Sequence, residues 1–430
     1  MDSLTQLIRA DMKPALGVTE PGAIAYAVAT AKAQIGGTVQ SVELALNSGM
    51  YKNAYTCGIP GSSHVGNLYA AALGAVGADP TKGLECLAGI TDAQHEQAEE
   101  LVNSGKIHVS MSEISSKISI RAQVTTELGS ASVMIQGAHT NITEIRVNDQ
   151  VVFQKEYDTH SNEEGGPVIH RYTLSQLVDY IETVPVKELQ FIQEAYRLNL
   201  ELFQEGLESS RTTFAQFLLE ENGGAVFSQD EEKTASLLCN AAIEARVIGL
   251  DKPAMSITGS GAHGIIATMP LYAAYKVQGY TTEQLYRATA LSYLVCMYIK
   301  EYSGKLSAFC GCAIAAGTGM AVALAWLRGG DKAALERVIC NMASSITGMI
   351  CDGGNQGCTM KGIAAVGTAY ASVKAALRNV SIHSVHGING KTPEDTMRYM
   401  GQIASPGMEA TEGTIIDILQ EKQKAEEVNI

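Results

Sequence analysis

The sequence predicts an α+β protein, a large α-helical domain carrying a small antiparallel β-sheet element. Three observations lead there. Period-two alternation is concentrated between residues 106 and 156, where "KIHVSMSE", "KISIRAQVTTE", "SASVMIQGAHT", "ITEIRVND" and "VVFQKEYD" are separated by polar turns. After residue 172 the alternation stops and long apolar segments of helical period follow one another. Apolar residues make up 46% of the chain and charged residues 18%, a balance that fills a large core.

At 430 residues the chain has room for two or three domains. We divide it into a helical N-terminal region, 1–105, that packs on the main domain; a small antiparallel β element with its linker, 106–165; and an α-helical domain, 166–430. In the first region "PGAIAYAVATAKAQIG" opens on Pro21, just inside a helix where a missing N–H is harmless. "VQSVELALNS" reads as a strand. "HVGNLYAAALGAVGA" and "DAQHEQAEELVNSG" read as helices, the second stopping at Gly105. "DTHSNEEGGP" reads as an exposed linker after the sheet. Beyond it, "TLSQLVDYIETV", "DEEKTASLLCNAAIEARVIGL", "TTEQLYRATALSYLVCMYIKEY" and "MKGIAAVGTAYASVKAAL" are helices, several apolar nearly all round, as at the centre of a bundle. With one Trp, seven Phe and 42 Gly, these helices can approach closely.

A net charge of −14 argues against nucleic acid or an anionic membrane as the main partner. No run of 18 uncharged apolar residues occurs, and the acidic start lacks a signal peptide's basic end, so a cytoplasmic location is expected. A homo-oligomer is compatible with this reading. The nine cysteines, an odd number, argue against a disulfide framework. Cys239, Cys296 and Cys340 lie in apolar helical runs and read as small core residues. Cys57, in "AYTCGIP", reads as a buried turn residue.

Three stretches interrupt the helices with residues unsuited to mere connection. "SITGSGAHGIIATMP" (256–270) reads as a glycine-rich loop with hydroxyls and His263; it lacks the GK[ST] of a phosphate loop and no strand is predicted before it. A tight connection and an anion cradle fit it equally. "GKLSAFCGCAIAAGTG" carries Cys310 and Cys312 into an apolar helix. "CDGGNQGC" (351–358) holds two cysteines on a loop with no apolar face to join. Their spacing matches neither a zinc knuckle nor a ferredoxin. A third thiol from Cys310 or Cys312 would make three ligands with one open position, as catalytic metal centres keep. Spacing alone leaves unrelated free cysteines as an equal alternative, and a zinc site would need a fourth ligand such as Cys312 or His263.

Together, "LSAFCGCAIAAGTG", "GMICDGGNQGCTMK" and "SGAHGIIATMP" resemble the L-cysteine desulfidase family of bacteria and archaea, a relative of the iron–sulfur-dependent L-serine dehydratases. "KPALGVTEPGAIA", "GMYKNAY" and "QGAHTNI" extend the resemblance over nearly the whole chain. It implies a lyase of amino-acid catabolism that converts L-cysteine to pyruvate, ammonia and sulfide, with L-serine or a related hydroxy amino acid as alternative substrate. It implies a 4Fe–4S cluster held by Cys310, Cys351 and Cys358, with Cys312, in a place where relatives can carry alanine, as an understudy only. One departure stands out. The family motif "LGCTEP" reads "LGVTEP" here, so Val18 replaces a cysteine taken to act in catalysis. A non-catalytic amino-acid-binding homologue is therefore a third reading.

The candidates for catalysis are then Glu20, His139 and His64. A lone glutamate at the place of Glu20, just before Pro21, is more often helix N-terminal charge than a base. His139 matches a family histidine, and His64 lies on a Gly/Ser loop where relatives need none. Lys52 and Asn53 match a family "KN" pair and are candidates for holding the substrate, as are Ser260, His263 (where relatives can place asparagine) and Lys361. The plainer reading makes Lys52 a solvated surface lysine and Lys361 an outward-pointing residue at a helix start.

Overall fold

The computed structural model describes residues 3–157 and 167–427. It is an α+β fold, a large helical body with one six-stranded sheet and one two-stranded ribbon. Of the expected linker only Pro167 falls within the described residues; the rest of "DTHSNEEGGP" lies outside them.

The strands are β1 (Lys13–Leu16), β2 (Val39–Leu46), β3 (Ile107–Met111), β4 (Ser119–Thr126), β5 (Gly129–Gln136), β6 (Ile142–Val147), β7 (Gln150–Gln154) and β8 (Pro253–Ser256). The sheet runs β3-β2-β4-β5-β6-β7. Alternation decides its faces. Ile120, Ala122 and Val124 of β4 and Ala131, Val133 and Ile135 of β5 are all buried, and helix Thr19–Ile35 packs on these strands. Each β-branched residue on that face contributes about 2 kcal/mol of burial. The strands pair antiparallel with one exception: β2 and β3 are parallel. Parallel neighbours need a long crossover, and the helices Ser48–Ala54, Gly66–Val76 and Asp92–Asn103 provide it. The sheet thus draws its second strand in space from residues 39–46 and is mixed rather than wholly antiparallel.

The ribbon pairs β1 with β8, Lys13 opposite Ser256 and Leu16 opposite Pro253. No such strand was expected at 253–256, and the glycine-rich stretch that follows is much shorter as a loop than the sequence suggests. Helix Gly261–Gln278 begins within it, so only four residues separate strand from helix. The ribbon's consequence is positional. It brings the start of helix Thr19–Ile35 beside the 257–260 turn, where the Thr19 hydroxyl donates to Gly259 O at 3.4 Å.

The helical body is centred on Glu231–Val247, Gly261–Gln278, Thr282–Ser303, Gly317–Leu327 and Gly357–Ala376. The alanines of the first four are all buried, as expected of helices enclosed on every side, whereas Gly357–Ala376 turns Ala364 and Ala371 to the surface. A π-helical turn, Cys312–Ala316, leads into Gly317–Leu327, and such turns recur at functional sites. No helix among the described residues is long and apolar enough to cross a membrane.

Candidate active site

Four chain segments meet at one place: the start of helix Thr19–Ile35, the turn 257–260 with the helix it opens, the strand-like pair 308–310 and 349–351, and the helix Ser48–Ala54. They enclose a cavity of about 240 Å³ whose wall includes Glu20, Asn53, His139, Ser260, His263 and Cys351.

Glu20 is buried at 4% exposure. Its Oε1 accepts from Asn53 Nδ2 at 2.9 Å and its Oε2 from the Thr19 hydroxyl at 3.1 Å. His139 Nε2 stands 3.7 Å from Oε1, within ion-pair reach but too long for a hydrogen bond. Burial alone would raise the carboxyl's pKa; the His139 ring, the Asn53 amide and the Arg246 guanidinium outweigh it and hold it down to about 2. The group is therefore an anion at neutral pH, in the first turn of helix Thr19–Ile35. Its stabilising contribution is complete above the unfolded value of 4.5 and is lost as pH falls toward 2. Urea midpoints of wild type and Glu20→Gln should accordingly converge as pH drops below 4.5; a gap that stays constant with pH contradicts this.

The thiol loop explains its own bareness. Its backbone lies directly on helix Ser48–Ala54: a side chain at Gly353, whose φ is 114°, would come within 2.6 Å of the Lys52 carbonyl. Cys351 N donates to Ala308 O and Cys310 N to Met349 O, at 2.7 and 2.8 Å, so the two cysteines flank one antiparallel bridge. Cys358 sits in the first turn of helix Gly357–Ala376. Cys351 Sγ contacts Asn53 Oδ1 at 3.8 Å, which links the loop through Asn53 to Glu20. Burial and the charges of Cys310 and Cys351 push the Cys358 thiol up to about 12, and burial followed by Cys310 raises that of Cys351. Cys310 is raised in turn by Cys312 beside it and by burial, and thiols held neutral by burial and by each other suit a group that brings positive charge. Among the described residues, no set of three or more His, Cys, Asp or Glu side chains is spaced to hold a single metal ion.

On another part of the wall, Thr258 holds a φ of 52°. A β-branched residue there is strained by roughly 1–3 kcal/mol. The turn is fastened by Asp11, whose Oδ2 accepts from Thr258 N at 2.5 Å, and the Thr258 hydroxyl lies 2.5 Å from His263 Nδ1. Burial, with Lys300 and Arg246 nearby, keeps His263 well below the usual histidine range, so the ring is neutral. Its Nε2 and the Lys300 ammonium converge over Gly311, where a Cβ would lie 2.8 and 3.1 Å from them.

Other sequence candidates fall outside the cavity wall. His64 stacks on Tyr69 with ring centroids 4.0 Å apart. Lys52 is no surface lysine: it is 1% exposed and its Nζ is 2.7 Å from Glu412 in the final helix. Lys361 pairs with Asp352, which together with the Cys351 and Cys358 thiols raises its pKa against the opposing effect of burial. Cys57 is fully buried, and burial with Glu20 raises its thiol well above the ordinary value. Val18 is 3% exposed and faces Gly354 of the thiol loop, where a Cβ would lie 3.1 Å from its Cγ1.

The sequence reading missed Lys300, Arg246 and Thr258. Lys300 is 4% exposed, lines the cavity, and burial lowers its pKa to about 8. Its sequence signal was slight, a single cation near the end of an apolar helix.

Comparison with known sequences places the chain in a family. The profile of the serine dehydratase alpha chain matches residues 81–417. The chain belongs to that family. It is 39% identical over 427 residues to a UPF0597 protein of Clostridium botulinum strain Langeland, covering 98% of this chain and 99% of the relative. It is 34% identical to UPF0597 proteins of Caldanaerobacter subterraneus, with 98% of each chain covered, and of Bacteroides fragilis, with 97% of each.

Proposed function

We propose that the protein is an iron–sulfur-dependent lyase that removes the β-substituent and the amino group of a small amino acid, yielding a 2-oxo acid and ammonia. The observation that carries this is the joining of a thiol, an ionised buried carboxylate and an imidazole around one cavity, in the order Cys351–Asn53–Glu20–His139. Family membership supports the reaction class.

The donor set fits a 4Fe–4S cluster, since it is all thiol and drawn from two loops that the 309–350 bridge holds together. Cys310, Cys351 and Cys358 would hold the group. When bound, it supplies an iron without a protein thiolate, a Lewis acid for the substrate's leaving group.

The chain's own residues divide the remaining work. The α-proton goes to His139 Nε2, which lines the cavity, is buried and has no hydrogen-bond partner among the described residues. Glu20, 3.7 Å away, stabilises the imidazolium that forms. Asn53 holds the carboxylate in place, and the buried walls limit water. The enamine left by elimination hydrolyses to the 2-oxo acid.

Two substrates remain, differing in their leaving group. The loop motifs support L-cysteine, whereas Val18 in place of the desulfidase cysteine supports L-serine. Val18→Cys separates them. We expect wild type, reconstituted anaerobically, to favour L-serine, and the variant to gain sulfide release from L-cysteine by roughly tenfold or more, within the ~10²–10⁴ range of a proton-transfer group. Rapid sulfide release by wild type with no change in the variant assigns the enzyme to L-cysteine and removes position 18 from the chemistry.

A further inference from the structure

We propose that Lys300 binds the substrate's α-carboxylate and so restricts the cavity to amino acids, excluding the corresponding amines and amides. This rests on the reading of the cavity as a lyase site.

Among the described residues two lysines are almost wholly buried, and their surroundings differ. Lys52, 1% exposed, is neutralised by Glu412 at 2.7 Å. Lys300, 4% exposed, has no carboxylate within 4 Å among the described residues. Among the described residues its ammonium meets two neutral oxygens, the Lys305 carbonyl at 3.2 Å and the Ser307 hydroxyl at a long 3.4 Å, and the face of the Phe309 ring with its centroid 5.8 Å away, but no anion. An ammonium held out of water is costly unless an anion meets it. Lys300 borders the cavity, so an anion placed there would complete its coordination.

The surroundings favour a carboxylate. Gly311 leaves the ammonium and His263 Nε2 uncovered, since a Cβ would fall within 3.1 Å of both. The neutral His263 adds no competing charge. Thr258, Gly259 and Ser260 bring the start of helix Gly261–Gln278 to the same wall, and an 18-residue helix presents free N–H groups and a partial positive charge at that end. Among the described residues the other wholly buried charge on the wall is the Glu20 anion, while Asp11, Lys13 and Lys305 line it at greater exposure. One positive and one negative buried group in a cavity of about 240 Å³ match a small zwitterion.

The test uses the full chain and two ligands of nearly equal size, L-serine and L-serinamide, with binding measured by calorimetry under anaerobic conditions. Wild type should bind L-serine roughly tenfold to a hundredfold more tightly than the amide, the range of hydrogen bonds to a charged group. Lys300→Met should lose that preference while binding the amide as before, and Lys300→Arg should recover part of it. Equal binding of both ligands by wild type, or a preference that survives in Lys300→Met, overturns the proposal. A preference that vanishes in Lys300→Met in a protein that forms no 2-oxo acid upholds Lys300 and overturns the lyase reading. Turnover of serine by wild type with no serine-over-amide preference does the reverse.

Discussion

Replacing any one of Cys310, Cys351 and Cys358 by serine should abolish both cluster content and turnover. Wild type reconstituted with iron and sulfide without oxygen should carry about four irons and four acid-labile sulfides per chain, the composition of the cubane. With three thiol ligands there is no spare, and a serine hydroxyl is a poor substitute for a thiolate toward iron. The positions themselves are pre-set by backbone bonds that serine would not disturb, Cys310 N to Met349 O and Cys351 N to Ala308 O. Loss of iron in these variants with retained folding is thus a statement about ligands. Cys312→Ser is the control: Cys312 lies beside Cys310 at the start of the π-helical turn and should keep its iron. Full iron in Cys351→Ser, or equal loss in Cys312→Ser, contradicts the ligand set.

The second large effect is expected at His139. His139→Ala should lower kcat by about 10²–10⁴, the usual worth of a positioned proton acceptor, with KM changed little. Glu20→Gln should lower kcat through His139, because the imidazolium loses its counter-charge, and the cluster content of both variants should equal that of wild type. His64→Ala should match wild type, since that ring is stacked on Tyr69 away from the cavity. A His139→Ala enzyme within about twofold of wild type removes His139 as the base.

The fold was legible wherever one face of an element is buried and the other is not. β4 and β5 alternate because helix Thr19–Ile35 covers one face, so their pattern shows in the sequence. β1 and β8 escaped because each has only four residues and exists through pairing with a partner some 240 positions away. A still longer separation hid the ion pair of Lys52: Glu412 lies 360 residues further on. In the site, Cys351 and Cys358 stood out by lying on a loop with no apolar face, whereas Cys310 and Glu20 were singled out through the family resemblance. Lys300 did not, since a lysine near the C-terminal end of helix Thr282–Ser303 is what the helix dipole alone would favour. Its burial and its lack of a carboxylate are tertiary facts. The strain at Thr258 is likewise set by Asp11 and His263, which no local pattern links to it.

The central claim is that this chain, with its cluster, deaminates a small β-substituted amino acid. The most direct measurement is product analysis with anaerobically reconstituted protein of verified iron and sulfide content, given L-serine and L-cysteine in turn. The account expects pyruvate and ammonia in equal amounts from at least one of them, with sulfide in the same amount when cysteine is the substrate. A fully loaded protein that binds these amino acids yet forms neither pyruvate nor ammonia from either would contradict it.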